Sequence, residues 1–174
     1  MPIFYKKGLQ KTDLDQIELK IHRTLPADYK SFLIRMNGFY LTAPDYAQIP
    51  LAAVDEGAVS FDRLFGLIPL EDCNDIVEFN NEFSSELDFL NHAIIIGEDG
   101  GGNPYVIIGE SEGIREGIYY WDRTHLHDSD IKNRFDIAEI NDCGNLFFVS
   151  SSFDEFYNLI LQCLGGSPDF LEET

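Results

Sequence analysis

The stretch IIIGEDGGGNPYVII, residues 94–108, combines two short apolar runs with two acids and three consecutive glycines. Glycine-rich loops after a strand often hold a phosphate with backbone N–H groups, but such loops need a following lysine and a helix. Here the loop begins with Glu98 and Asp99, contains no lysine, and leads through Pro104 into another apolar run. Two carboxylates would repel a phosphate, so we predict no nucleotide site and no cofactor. Calcium could bind Glu98, Asp99 and Asn103, although the spacing of an EF-hand is absent.

A hairpin connection is the interpretation that this stretch favours. Residues 97–103 would join two antiparallel strands, and glycine adopts a positive φ without a steric penalty. We therefore predict a structural role for Gly100, Gly101 and Gly102, with at least one of them at positive φ.

A second candidate for chemistry is YYWDRTHLHDSD, residues 119–130. Its polar side chains resemble a metal-ligand cluster, because an H-x-H pair on a strand points both imidazoles to one face. The members are His125, His127, Asp122, Asp128 and Asp130. Polar loops also collect such residues without binding anything, so we favour a solvated loop and predict no metal. A metal-dependent hydrolase is the alternative, but no catalytic constellation is found, and we predict no catalytic residue.

Charge narrows the choice of partner. The chain has 12 lysines and arginines against 31 acids, a net charge of −19. Nucleic acid and anionic membranes are poor partners for it, because neutralising phosphates requires a basic surface. The first 35 residues are net positive at +3, so residues 36–174 carry −22. A partner steered by charge should be basic and should meet the later part of the chain.

Length and composition fit one globular domain over residues 1–174. No apolar run approaches the roughly 18 residues of a membrane span. The three cysteines lie far apart and form no C-x-x-C pair. We expect a cytoplasmic protein with reduced thiols.

Two helices are predicted near the N-terminus. An amphipathic pattern over residues 12–22 predicts the first, with a capping box at Thr12 and Asp15. The second runs from residue 26 through 36, and Asn37-Gly38 ends it.

The patterns in the rest of the chain predict strands and two further helices. The strand candidates are residues 49–54, 59–68, 93–96, 105–108, 118–121 and 145–150. A third helix is predicted over residues 76–83, and a closing helix after a capping box at Ser152 and Glu155. Short glycine-containing connections favour an antiparallel meander. The predicted fold class is α+β, with N-terminal helices and a C-terminal helix packed against a mainly antiparallel sheet.

Four segments together resemble the SUKH superfamily, in the branch related to a fungal cell-wall-assembly regulator. They are LPADYKSFLIRMNG, IIIGEDGGGNPYVI, GIYYWDRTH and SSFDEFYNLIL, in the family's order, and they fall within residues 12–164. The resemblance implies an α+β fold, which the residue patterns predict independently.

The resemblance also implies a role. Many bacterial SUKH proteins look like immunity proteins that bind and block a toxin, often a nuclease, in the cytoplasm; others are protein-binding regulators, and enzymatic activity is not part of the family. We expect an immunity-type protein that binds a basic toxin domain, with a regulatory or scaffolding module as the alternative. Strand alternation also sends Tyr119 to one face beside acids, a composition typical of binding surfaces. The expected partner-binding residues are Glu98, Asp99, Tyr119, Asp122, Asp128 and Asp130.

Overall fold

The computed structural model describes residues 2–42, 46–127 and 134–173. Within these ranges the chain forms four α-helices and ten strands. The helices are α1 (Lys11–Ile21), α2 (Ala27–Arg35), α3 (Ile76–Phe83) and α4 (Phe153–Cys163). The strands are β1 (Pro2–Lys7), β2 (Met36–Leu41), β3 (Ala47–Pro50), β4 (Ala58–Phe61), β5 (Arg63–Leu64), β6 (Ala93–Glu98), β7 (Pro104–Ile108), β8 (Gly117–Asp122), β9 (Asn145–Ser150) and β10 (Asp169–Glu173). None of the described helices is long and apolar enough to cross a membrane.

Eight strands form one sheet in the order β10, β1, β2, β5, β6, β7, β8, β9. Its neighbouring strands are antiparallel, apart from the parallel pair of β10 and β1. β3 and β4 form a separate antiparallel ladder. The predicted α+β fold is confirmed, and β6, β7 and β8 form the predicted meander.

Helices α2 and α4 cover one face of the sheet through buried aromatic side chains. The Phe39 ring of β2 contacts Phe32 of α2 and Tyr157 of α4, with ring centroids 6.1 and 6.2 Å apart. Phe156 of α4 lies 5.0 Å from Tyr105 of β7. Burying such a side chain contributes about 1.5–3 kcal/mol, so the apolar stripe of each helix fixes it on the sheet.

Helix α3 lies beside β6, where the two-residue strand β5 has ended. The Asn80 side chain takes the place of a strand there: its Nδ2 donates to the Ile95 carbonyl at 2.8 Å, and its Oδ1 accepts from the Ile95 N–H at 2.9 Å. Phe79 of the same helix stacks on Phe65 with centroids 4.0 Å apart. A buried amide thus satisfies backbone groups that the sheet leaves open.

The start of α1 differs from the prediction. The helix begins at Lys11, and the Asp13 carboxylate accepts a hydrogen bond from the Gln10 N–H at 2.8 Å. The capping box predicted at Thr12 and Asp15 is therefore wrong, since both residues lie inside the helix.

The end of the second helix also differs, because Met36 opens β2 instead of closing α2. The Asn37 amide pairs with the backbone of Leu67, donating to its carbonyl at 3.0 Å and accepting from its N–H at 2.7 Å. Gly38 has φ +73, and a Cβ there would lie 2.7 Å from the Gly66 nitrogen. The Asn-Gly pair thus serves a close strand contact and not a helix stop.

The closing helix α4 starts as predicted. The Ser152 hydroxyl accepts from the Glu155 N–H at 3.2 Å, but the Glu155 carboxylate accepts from Ser151 and not from the Ser152 N–H, so the capping box is only half formed. Asp28 of α2 supplies a second cap, accepting from the Phe153 N–H at 2.9 Å. A carboxylate is favourable at a helix N-terminus, so this contact joins α2 to α4.

Candidate protein-binding face

One row of side chains crosses five neighbouring strands on the sheet face opposite α2 and α4. The register pairs Phe4 with Leu171 and with Tyr40, Tyr40 with Arg63, and Arg63 with Glu98. Paired residues project from the same face, so these side chains stand next to one another, and each of them is at least partly accessible. The name open face is used below for this row together with its neighbours Lys6, Asp62, Glu71, Asn74 and Glu173.

Aromatic rings form the centre of the open face. Phe4 and Tyr40 stack with centroids 5.7 Å apart. The Tyr40 hydroxyl donates to the Glu173 carboxylate at 2.6 Å. This bond, together with burial and nearby charges, raises the pKa of Tyr40 to about 12, so the phenol remains a donor at neutral pH.

Charged groups surround the rings in one connected network. Lys6 Nζ lies 2.6 Å from the Glu71 carboxylate, which also accepts from Asn74 Nδ2 at 3.0 Å. Arg63 donates to Asn74 Oδ1 at 3.0 Å and to Asp62 at 2.6 Å. The bond from Lys6 holds the pKa of Glu71 below its usual value. Carboxylates are nevertheless in excess, since four acids of the open face stand against two cations.

Glu98 is the acid of the open face with the weakest internal partner. Its nearest cation is Arg63, whose Nε lies 3.5 Å away, while the short bonds of that guanidinium go to Asp62. Burial raises the pKa of Glu98, and the charges of Asp62 and Asp99 add to the effect although Arg63 opposes it. The Glu98 side chain is 14% exposed, so its charge is only partly compensated inside the protein.

Asp99 follows Glu98 directly but is buried, with 8% of its surface exposed. Its Oδ1 accepts from the N–H groups of Gly101 and Asn103, at 2.8 and 3.0 Å. Its Oδ2 accepts from Asn103 Nδ2 at 3.0 Å and from the Tyr120 hydroxyl at 2.9 Å. This corrects the expectation of an exposed contact, because the carboxylate is used to hold the hairpin.

The glycines of the hairpin behave as predicted at two positions. Gly100 and Gly102 have φ of +71 and +90, so the prediction of positive φ in this loop is confirmed. Gly101 has no positive φ, and a Cβ there would lie 3.2 Å from Asp99 Oδ1. The loop is a structural connection whose backbone wraps around Asp99.

Asp122 and Tyr119 also lie inside the protein. Asp122 is 3% exposed, and its two oxygens accept from the N–H groups of Leu126 and His127, each at 2.8 Å. Tyr119 is 1% exposed and donates to the Arg115 carbonyl at 2.6 Å. Neither side chain is exposed enough to contact a partner, which corrects the expectation that both bind one. Asp128 and Asp130 lie outside the described residues.

The histidines of the H-x-H pair point to different partners. His125 Nε2 lies 2.8 Å from the Glu139 carboxylate, whereas His127 is buried against the Tyr120 ring, with ring centroids 5.9 Å apart. In residues 2–42, 46–127 and 134–173, no group of three or more His, Cys, Asp or Glu side chains could hold a metal ion. Asn103, the amide of the calcium alternative, uses its Oδ1 to accept from Thr124.

Most of the open face escaped the sequence prediction. Phe4 and Tyr40 lie on β1 and β2, which were not predicted as strands from the sequence, whereas Arg63 lies on the two-residue strand β5 and Glu173 on the edge strand β10. For Phe4 and Tyr40, the signal that could have found them is the alternation in PIFYKK and MNGFYL, which puts every second residue on one face.

Comparison with known proteins supports a single assignment. No curated protein matches the chain. The model of the SMI1 / KNR4 family (SUKH-1) matches residues 8–159, from the residues before α1 into α4, and leaves β1 and β10 outside. This match covers most of the sequence and confirms the resemblance to the SUKH superfamily. The chain therefore belongs to the SMI1 / KNR4 family (SUKH-1).

Proposed function

We propose that this protein is an immunity-type protein that binds and neutralises a cognate bacterial toxin in the cytoplasm by stoichiometric association. The toxin domain is basic, as a nuclease must be to hold nucleic acid. Membership of the SUKH-1 family supports a binding role, and the net charge of −19 supports the choice of a basic partner. No catalytic step is assigned to the chain.

The observation that carries the proposal is the position of Glu98 on the open face. Its side chain is only 14% exposed, and its nearest cation lies 3.5 Å away. The Tyr40 ring lies two strands further along the same row, and the Phe4 ring stacked on it lies three strands further. Aromatic rings in the same row as an incompletely paired acid form a surface that suits a basic segment, whose cations can pair with the acid and stack on the rings.

Charge should act mainly on the rate of association. Residues 36–174 carry −22, so a basic partner would be steered before contact is made. The buried contacts around Phe4 and Tyr40 should instead set the dissociation rate.

A regulatory or scaffolding module without a toxin partner is the second candidate, because it would use the same face. A metal-dependent hydrolase is the third, and metal analysis of the purified protein tests it.

The test uses the protein encoded beside this chain in its genome. Its expression alone should arrest growth, co-expression of this chain should restore growth, and the purified pair should form a complex of fixed stoichiometry. The association rate should fall severalfold between about 50 and 150 mM salt, since surface charges are screened over this range.

Glu98→Lys should lower that association rate about tenfold at low salt. Glu112→Lys is the matched control, because it makes the same charge change on an exposed turn between β7 and β8. Circular dichroism checks that both variants fold, and Glu98→Gln provides a milder second variant. An acidic partner, an association rate indifferent to salt, or equal effects of Glu98→Lys and Glu112→Lys would overturn the proposal. Binding without rescue of growth would select the regulatory alternative.

A further inference from the structure

Strand β10 forms one edge of the sheet and lies outside the part of the chain that the family model matches. It runs parallel to β1 through five residue pairs, from Pro2 with Asp169 to Lys6 with Glu173. Among the described strands, β10 has a neighbour on this side alone. Its outer edge therefore presents backbone N–H and C=O groups that another strand could pair with.

This edge is held in place on both faces of the sheet. On the face toward α2 and α4, the Tyr5 hydroxyl donates to Glu172 at 3.2 Å, and the Tyr5 ring contacts Phe170 at 6.4 Å. On the open face, Tyr40 donates to Glu173 at 2.6 Å. A strand that is already extended and fastened requires little further ordering when a partner is added, and this favours binding.

The side chains of β10 have a definite chemical character. Asp169, Glu172 and Glu173 are acids, and residues 164–173 contain no cation. Phe170 and Leu171 remain 40% and 45% exposed despite the pairing with β1. The edge thus offers two apolar side chains between carboxylates.

Pairing with a second copy of the chain is unfavourable. An antiparallel pair of β10 strands centred on Leu171 would set Asp169 opposite Glu173 at both ends. Like charges at directly opposed positions destabilise a strand pair. The same carboxylates would attract lysine or arginine side chains from a different strand.

We propose that β10 captures an extended basic segment of a partner protein by strand addition to the sheet. Backbone hydrogen bonds along the edge give affinity, and side chains give selectivity. Basic side chains lie opposite Asp169, Glu172 and Glu173, and apolar side chains lie opposite Phe170 and Leu171. The inference rests on the proposed function for the basic character of the partner and adds where one of its segments binds.

The test uses the full chain and a capped synthetic peptide, TKKVVKT, as the probe. Binding should be saturable and should slow amide hydrogen exchange in residues 169–173 by about fivefold or more at saturation. Two further peptides carry N-methyl groups on alternate amides. The first is methylated along one edge of the extended peptide, and the second along the opposite edge. A strand uses one edge for pairing, so one methylated peptide should lose binding and the other should keep it.

Variants of the protein distinguish strand pairing at β10 from non-specific electrostatic attraction of a basic peptide. Asp169→Lys should weaken the affinity for the peptide about tenfold at low salt, whereas Glu112→Lys should change this affinity by less than about twofold. Equal binding of both methylated peptides, exchange protection at β9 in place of β10, or a dimer of the chain in sedimentation would each overturn the inference. If a toxin is neutralised while the amides of β10 are not protected from hydrogen exchange, only this inference fails. If the peptide binds but no toxin is neutralised, only the proposed function fails.

Discussion

The Tyr120 hydroxyl donates a 2.9 Å hydrogen bond to the Asp99 carboxylate, which joins β8 to the hairpin between β6 and β7. Burial raises the pKa of Tyr120, and the charge and hydrogen bond of Asp99 add to the effect. The phenol therefore stays protonated and remains a donor. Three further donors from the loop converge on the same carboxylate, which makes Asp99 the centre of the hairpin.

Asp99→Ala should lower the free energy of unfolding by about 2–4 kcal/mol, because it leaves buried donors unpaired. Urea denaturation measures the loss, and Glu112→Ala on an exposed turn is the control. A loss no larger than that of the control would contradict this account. For the same reason, charge reversal at Asp99 would report on folding and not on partner binding.

Gly100→Ala and Gly102→Ala should each cost about 1–2 kcal/mol, because both positions have positive φ. Gly101→Ala should cost less, since only contact with Asp99 Oδ1 at 3.2 Å opposes its Cβ. Thermal denaturation of the three single variants gives the ranking. Equal stability of all three with the parent protein would refute a structural role for the loop.

Asn80→Ala should cost about 2–4 kcal/mol, because both backbone groups of Ile95 lose their partner in a buried position. Asn158→Ala on the exposed surface of α4 removes the same side chain without such a loss. Amide hydrogen exchange provides a local readout, and the Ile95 N–H should exchange faster in the Asn80 variant. Unchanged Ile95 protection would show that the amide does not replace a strand.

Arg123→Lys should lower the free energy of unfolding by about 0.5–1 kcal/mol. The Arg123 guanidinium donates to both Glu86 oxygens, at 3.0 and 2.6 Å, and lies 4.4 Å from the centre of the Phe83 ring. A lysine cannot form the two-pronged bond. A double-mutant cycle with Glu86→Gln should show coupling between the two residues. Additive effects would mean that the ion pair does not stabilise the packing of the β8–β9 connection against the end of α3.

Glu139 gives a pH dependence with a defined sign. Hydrogen bonds from His125 and from the Gly144 N–H hold its pKa below the usual value, so its contribution to stability is present above the unfolded pKa of about 4.3. That contribution is lost as pH falls through the lower folded pKa. Glu139→Gln should therefore reduce the loss of stability between about pH 5 and 3. Urea midpoints across this range test it, with Glu112→Gln as the control, and parallel pH profiles of Glu139→Gln and the parent would contradict it.

Local signals in the sequence determined α4 and the β6 to β8 meander. α4 has apolar residues at helical spacing after Ser152, and the meander has apolar runs separated by glycine-rich turns. Such signals need no distant partner, because periodicity and turn chemistry act over a few residues. Three of the four segments that carry the family resemblance lie in these elements, and the fourth contains α2.

Tertiary structure decided where β1, β2 and β10 lie in the sheet, and so which side chains form the open face. β2 starts where helix α2 could have continued, and the reason is the pairing of Asn37 with Leu67, 30 residues away. β10 exists as a strand through its ladder with β1, at the other end of the chain. Intrinsic preferences are weak beside such contacts, so the residues of these strands do not by themselves determine which strands they pair with.

The role of each acid was likewise fixed by three-dimensional position. Glu98 and Asp99 are neighbours in sequence, but strand alternation turns Glu98 toward Arg63 on the open face, while the hairpin closes around Asp99. The sequence determined that the protein is acidic, with a net charge of −19. Only the fold decided which carboxylates keep weak internal partners, because a buried carboxylate must be satisfied by donors inside the protein.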